Sequence, residues 1–431
     1  MAKTFRAWDP AQGWLLPPSV MELVPEGHLA HFVRDTVREE IDLAPILEAY
    51  VEERGFPPYH PALMTALLLY AYCRGVYSSR TIAKACEERV DFMAVTGRET
   101  PDFRTIAAFR RRHLKALRAL FVEVVRLCRE AGLVSLGHVA LDGTKVKGNA
   151  SKHKAMSYER MLEQERKLRT EVQAWLDRAG AADTKEDRDL GEDHRGDEMP
   201  EWVKDKQARH AKIREARKAL ETKAKEEAKK EKRPPEPPAP TAQINFTDAE
   251  SKILKTGDGF IQGYNAQAAV DASSQVIVAQ DVIAQQSDMG CMEPMLDQIE
   301  RNTGQSPREL SADAGYCSER NLETIEDRGV RGYVATGGHR HGTASPTSAE
   351  WQKKGPLTRT MRARLRRAGR RSRYRLRKVT VEPVFGQIKG ARGFRQFLLR
   401  GLDGVRGEWS LLAAAHNLLK LFGSRSALAT A

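Results

Sequence analysis

One stretch of this 431-residue chain contains no acid at all. Between Lys353 and Lys378 lie 26 residues, 13 of them Lys or Arg. The whole chain has 71 basic residues and 58 acids, a formal charge of +13; 71 less those 13 leaves 58, so the surplus sits in this one stretch. Basic charge so concentrated is an electrostatic footprint for a polyanion, most often nucleic acid. Cysteine is scarce: the five, at 73, 86, 128, 291 and 317, are odd in number and form no C-x-x-C pair. That excludes a disulfide framework and points to reduced thiols in a cytosolic protein. Long apolar runs are missing. The longest, from Ala62 to Cys73, is broken by Thr65 and is too short to span a bilayer, and Met1 to Arg6 lacks an apolar signal core. A membrane partner is therefore not expected, and a cytoplasmic location is. Nor is there a Walker phosphate loop, a G-x-S-x-G elbow or a zinc pair of conventional spacing.

What is present suffices for a large core: 41% of the residues are apolar, with 6 Trp and 13 Phe. The length exceeds what one core usually supports, so two or more domains are expected. Residues 1–135 read as a helical domain. Leu29, Phe32, Val33 and Val37 recur at helical spacing, as do Leu63, Leu67 and Tyr70 after Pro57-Pro58. Short helices follow over Ser79–Glu88 and Thr105–Ala119. The second is announced by Pro101-Asp102 and presents Arg110, Arg111 and Arg112 in succession. Such a run near a helix start is where a recognition helix meets DNA, which makes these three candidate contacts.

At His138 the pattern changes. His138 to Gly143 is a short apolar run ending in an acid and a glycine, as expected of a buried strand emerging at its end. A long charged helical segment follows, with Met161, Leu168, Val172 and Trp175 as a sparse apolar stripe, and five prolines between Pro234 and Pro240 stop it. Residues 154–243 thus interrupt the second domain, 136–431. Strand patterns resume over Gly263–Asp271 and Gln275–Ile283, joined as a hairpin. Helices (Met292–Asn302, Ser318–Arg328) and strands (Glu309–Asp313, Arg331–Ala335) then alternate, a further helix is predicted from Thr380 to Phe397, and Trp409, Leu412, Leu418, Leu419 and Phe422 mark an amphipathic terminal helix expected in the core. The order is that of an α/β protein with an RNase H-like mixed sheet flanked by helices, behind an all-α N-terminal domain and with a long charged helical insertion after the first strand.

Three carboxylates hold key positions in that plan. Asp142 ends the first strand, Asp313 ends the strand after the hairpin, and Glu382 lies on the first turn of a late helix. Crowded carboxylates repel, so such a cluster makes sense only around a cation. Oxygen-only donors select hard ions such as Mg²⁺ or Mn²⁺. Two of them, about 4 Å apart, can activate an attacking water or 3′-hydroxyl and stabilise the leaving oxygen of a phosphodiester. On the late helix Val381, Val384, Phe385 and Ile388 form the buried stripe, and Glu382 and Lys389, seven apart, fall within about 20° of one another.

Asp142-Gly-Thr-Lys-Val-Lys-Gly-Asn-Ala-Ser-Lys-His-Lys-Ala-Met-Ser-Tyr158, Asp313-Ala-Gly-Tyr316 and Glu382-Pro-Val-Phe-Gly-Gln-Ile-Lys389 resemble the signatures of bacterial insertion-sequence DDE transposases, in particular the subgroup numbered eleven eighty-two. The likeness extends to Tyr70–Arg80, Asp102–Arg110 and the run Gly263-Tyr-Asn-Ala-Gln267. It implies that Asp142, Asp313 and Glu382 are both the catalytic DDE triad and the ligands of two divalent cations, Mg²⁺ or Mn²⁺. It also implies cleavage at the element's terminal inverted repeats and transfer of the 3′-hydroxyl ends into target DNA. Double-stranded DNA is the implied partner, bound by a homodimer or higher oligomer at the bacterial nucleoid. A related signature, Tyr-x2-Arg-x3-Glu-x6-Lys, holds here only from Glu to Lys: Lys378 and Arg375 stand at its Arg and Tyr positions, with Arg377 and Tyr374 one residue earlier. Lys389 carries over as a phosphate contact and Tyr374 does not.

Within the basic stretch Arg366, Arg367, Arg370 and Arg371 are the candidate DNA contacts. His339 and His341 read as part of a mobile loop, and Asp258, Asp271 and Asp281 as structural acids rather than ligands. The competing class is a non-enzymatic DNA-binding protein, an inactive or domesticated copy that keeps the fold.

Overall fold

The computed structural model describes residues 19–50, 58–190, 201–230, 232–257, 259–337 and 353–430. Seven helices come first: α1 (Leu29–Glu39), α2 (Ala44–Leu47), α3 (Pro61–Cys73), α4 (Ser79–Glu88), α5 (Val90–Thr96), α6 (Phe103–Arg112) and α7 (Leu114–Glu130). The longest apolar run of the sequence is α3, buried almost all the way round, as a helix without a polar face must be. It packs on the C-terminal helix, called α14 below. Asp102 caps α6, its Oδ1 accepting the amides of Arg104 (2.6 Å) and Thr105 (3.2 Å). The predicted continuation to Ala119 fails at His113, whose ring bonds the Tyr50 hydroxyl at 3.1 Å and stacks on its ring. That tertiary contact turns the chain between α6 and α7.

The sheet follows. β1 (Val139–Lys147) is succeeded by β2 (Ala155–Ser157), α8 (Tyr158–Leu190), α9 (Glu201–Lys230), β3 (Gln243–Asn245) and β4 (Lys252–Thr256). Then come β5 (Gly259–Asp271), β6 (Ile277–Ile283), α10 (Met292–Thr303), β7 (Glu309–Ala312), α11 (Glu319–Asp327), β8 (Arg331–Val334), α12 (Pro356–Ala368), α13 (Leu376–Gly386) and α14 (Leu402–Thr430). β1 pairs antiparallel with β5 along its whole length and parallel with β7, which pairs parallel with β8. On its far edge β5 carries β4 and then β6, both antiparallel. The result is a mixed α/β sheet running β6-β5-β1-β7-β8. Gly263 in β5 is dictated by that crowding, since a Cβ there would overlap the carbonyl oxygen of Val146 across the ladder.

α8 and α9 fold back on each other, bound by Glu165 to Arg217 (2.7 Å) and Glu171 to Lys206 (2.6 Å). Met161 and Leu168 meet Ile213, Leu220 and Ile244 there in a small core of their own, so the hairpin is more than the solvated arm its composition suggests. Trp175 lies among the side chains outside the described ones. A far larger cluster runs unbroken from Val24 through the strands to Leu421, joining the N-terminal helices and the sheet. Trp409, Leu412 and Leu418 of α14 are buried in it as predicted, with Leu419 and Phe422 packed against it. Among the described residues no helix is long and apolar enough to cross a membrane.

Candidate active site

The parallel pairing of β1 with β7 ends at Leu141 opposite Ala312. The next residue on each strand is an acid, Asp142 and Asp313, so register alone sets the two carboxylates side by side where the ladder opens. Asp142 does not end its strand, however. β1 continues five residues further against β5, because Thr144 and Val146 keep the β pattern and Lys147 still pairs with Gly263. Asp313 caps a short turn, Ala314–Tyr316, its Oδ1 accepting the Gly315 amide at 2.8 Å.

α13 buries Thr380, Val381, Val384 and Phe385 and packs across β1 and β5. It starts at Leu376, earlier than predicted, which moves Glu382 from the first turn into the second. Pro383 cannot donate to the carbonyl of Val379, which instead accepts the Gln275 side-chain amide at 3.0 Å. After Gly386 the helix widens into a π turn, Gln387–Ala391, a feature that recurs at functional sites. Lys389 on that turn is committed within the chain: its Nζ donates to Thr144 Oγ1 (2.6 Å) and to the Lys145 carbonyl (2.7 Å), and burial pushes its pKa down, with Arg395 and Lys145 adding to the effect. It therefore ties the turn to the strand that bears Asp142.

Arg377, given no role from the sequence and one of thirteen basic residues in its stretch, links the acids. Its Nη1 bonds Asp142 Oδ2 at 2.5 Å and its Nη2 lies 3.3 Å from Glu382 Oε1. Burial alone pushes the Asp142 carboxyl up; Arg377 pulls it back, while Asp313 and Asp288 push it up again, and it settles at about 6. For Arg377 burial works against the charge, but Asp142, Tyr374, Asp313 and Glu382 outweigh it, and the guanidinium pKa is raised.

Asp288 is a fourth acid at this edge, and no sequence signal marks it. Its Oδ1 accepts Asn265 Nδ2 (2.6 Å) and Gln267 Nε2 (2.8 Å), two residues of the Gly-Tyr-Asn-Ala-Gln run, and Gln267 in turn accepts the Tyr316 hydroxyl. Lys145 Nζ stands 3.7 Å away. A Cβ on Gly143 would lie 2.7 Å from Asp288 Oδ1 and 2.9 Å from Asn265 Oδ1, so the glycine after Asp142 is what lets this group reach β1. Asp288 Oδ2 and Asp313 Oδ1 likewise stand 2.9 and 3.0 Å from the Cβ position of Gly315.

The donors present suit a hard divalent cation, being carboxylate oxygens crowded enough to raise a pKa. Among the described residues no three acid, His or Cys groups close around an ion. Arg377 holds two of the three predicted acids, and its cationic head meets part of their charge itself.

The predicted DNA contacts divide. Arg110 is not at the surface: it is 5% exposed and donates to the Tyr72 hydroxyl (3.1 Å), the Tyr77 carbonyl (3.2 Å) and Ser79 Oγ (3.3 Å). Arg111 is exposed, and Arg112 reaches the Ala49 carbonyl at 2.7 Å with its guanidinium over Tyr50. Arg366, Arg367 and Arg371 are exposed; the side chain of Arg370 lies outside the described ones. Part of the basic stretch is used internally, by Arg377 and by Arg373, which pairs with Glu309 at 2.5 Å. Asp271 accepts the Leu136 amide (2.7 Å) and Asp281 pairs with Arg406 (2.8 Å), both structural as expected. Asp258, His339 and His341 lie outside the described residues.

Residues 238–418 match the Transposase DDE domain family, and residues 18–112 match the Transposase domain (DUF772) family. Asp313 and Glu382 fall inside the first match; Asp142 lies between the two. No curated protein and no solved structure gives a match. The two matches, both to transposase families, fall over the N-terminal helices and over most of the sheet with the helix bearing Glu382.

Proposed function

We propose that the chain is an insertion-sequence DNA transposase, of the subgroup numbered eleven eighty-two, with an RNase H-like catalytic domain and a DDE triad of Asp142, Asp313 and Glu382. It binds the terminal inverted repeats of its element, cleaves phosphodiester bonds there and transfers the 3′-hydroxyl ends into target DNA. The observation that carries the reading is the meeting of Asp142 and Asp313 at the open end of the β1–β7 ladder, with Glu382 joined to Asp142 through Arg377. The strand order supports it: three antiparallel strands, then two joined in parallel to the first. So do the two long helices between β1 and β5, as an insertion after the first strand.

Asp142, Asp313 and Glu382 would hold two divalent ions, Mg²⁺ or Mn²⁺. When bound, such ions activate the attacking water or 3′-hydroxyl and stabilise the departing oxygen. Asp142 accepts a cation only once ionised and released by Arg377, which keeps the pair neutralised until then. The Gly315 amide fixes the direction of Asp313, and Lys389 holds β1 in place beneath. The exposed Arg111, Arg112, Arg366, Arg367 and Arg371 face DNA phosphates; Arg110, being buried, does not. Lys389 keeps one ammonium proton beyond its two internal bonds, and that proton is the one available to a phosphate.

The test is cleavage of a plasmid carrying the element's terminal repeats in Mg²⁺. Wild type cuts, and Asp142→Ala, Asp313→Ala and Glu382→Ala each do not. Full activity in any one removes that residue from the triad, and salt-sensitive binding without cutting by wild type favours a non-enzymatic DNA-binding protein.

A further inference from the structure

The motif that begins at Asp142 outruns the acids. After Lys147 it leaves the sheet through Gly148, and residues 149–154 wall a cleft with Phe260, Gln396 and Arg400. The segment is pinned at its root. The Phe397 amide donates to the Lys147 carbonyl (2.8 Å), Gln396 Nε2 to Gly148 (3.1 Å), Asn149 Nδ2 to the Leu398 carbonyl (2.8 Å) and Asn245 Nδ2 to Ser151 (2.7 Å). Arg400 Nε closes the ring on the Asn149 carbonyl at 3.0 Å.

The charges so held are of one sign. Lys147, Lys152, Lys154 and Arg400 are all exposed, and no acid lines the cleft among the described residues. Nor does any of the four form an ion pair with a described residue, whereas Arg126 and Arg328 elsewhere on the surface each engage two acids. Beside the cations stands Phe260, 60% exposed at the start of β5. A rigid cationic groove with one bare aromatic ring is the pattern of single-strand recognition: phosphates follow the cations while a base, unpaired, covers the ring.

We propose that this cleft binds a single DNA strand, its phosphates on Lys147, Lys152, Lys154 and Arg400 and one unpaired base on Phe260. The assignment rests on reading the chain as a DNA-cutting enzyme, and it adds a place for a strand separated from its complement. Lys147 and Asp142 share one strand five residues apart, about 17 Å at ~3.3 Å per residue. A strand lying in the cleft would therefore reach the acids within a few nucleotides.

The experiment uses the full chain without divalent metal, and follows fluorescence anisotropy of a labelled oligothymidylate and of a duplex of equal length across a range of salt. Lys152→Gln/Lys154→Gln should reduce the log-log salt slope for the single strand by about 0.7 per lost phosphate contact, about 1.4 for the pair. The control pair Lys212→Gln/Lys218→Gln, which neutralises two exposed lysines on α9, should leave the slope unchanged. Phe260→Ala should weaken single-strand binding roughly tenfold and leave duplex binding alone. An unchanged slope in the cleft variant, or an equal fall in the control, overturns the site. A reduced slope with Phe260→Ala inert, or with duplex binding equally weakened, overturns the assignment to a single strand. Because no cutting is scored, a chain inert as a nuclease still gives this result. A chain that cuts while failing here loses the cleft and keeps its proposed activity.

Discussion

Asp142 and Glu408 are both acids largely withdrawn from water beside an arginine, and burial pushes both carboxyls up. Their surroundings separate them. Glu408 in α14 has every bond supplied by the chain: Oε2 accepts the amides of Leu398 (2.8 Å) and Leu399 (3.1 Å), and Oε1 the Tyr72 hydroxyl (3.4 Å), which itself accepts Arg110. It is a tie between the N-terminal helices and the C-terminal one. Among the described residues, Asp142 accepts only its neighbouring amide, Gly143, and the side chain of Arg377, and two more acids crowd it. A perturbed acid is thus no mark of function by itself. The partners separate the two: Glu408 is saturated within the fold, whereas Asp142 is crowded by like charges, which is what the proposed cation site requires.

The contrast can be broken at either end. Glu408→Ala should cost roughly 3–5 kcal/mol of stability, because it strands the buried Arg110; chemical denaturation measures this, and a loss under about 1 kcal/mol would put Glu408 in the same class as Asp142. Asp142→Asn keeps the shape and removes the charge. It should lower the cutting rate by about a thousandfold, the equivalent of ~4 kcal/mol, while moving the denaturation midpoint far less than Glu408→Ala does. Lys389→Met should sit between the two classes, losing about 1–2 kcal/mol of stability with its two bonds to β1 and lowering cutting as well. If stability falls and the cutting rate of the folded fraction does not, Lys389 is a tie alone.

The smallest effect is in pH. The folded-state pKa of Asp142, about 6, lies above its unfolded value, so the folded state holds the proton more tightly. Its contribution to stability therefore grows as the pH falls from above 6 towards 4, and is lost again on the way up. Cation binding runs the other way and weakens below about pH 6. Mn²⁺ titrations at pH 5 and pH 7 should show tighter binding at pH 7, with a smaller difference in Asp142→Asn; equal pH dependence in the two proteins would assign it to another group.

Much of the fold was legible because it is written in local pattern. The strand-like runs over 263–271 and 277–283, the cap at Asp102 and the apolar stripe of 381, 384, 385 and 388 each set an element without help from afar. The meeting of Asp142 with Asp313 could be read for a related reason, since neighbouring parallel strands bring residues distant in sequence together. What failed depends on direction or on distant partners. Three consecutive arginines on a helix point about 100° apart, so they cannot share one face, and here Arg110 turned inward. Arg377 looks like its twelve basic neighbours until Asp142 is seen opposite it. Asp288 carries no local pattern, and only its hydrogen bonds to Asn265 and Gln267 reveal where it belongs.

The core that runs without interruption from the first helices into the sheet has a metrical consequence. The exposed arginines at the end of α6 and the acids at the end of the β1–β7 ladder rest on one continuous core, like the two jaws of a calliper on one beam. On the proposed reading, any DNA held by those arginines would lie at a distance from Asp142 that is set when the chain folds. A DNA end held there would be cut at a constant number of base pairs from the point of grip, whatever the sequence between.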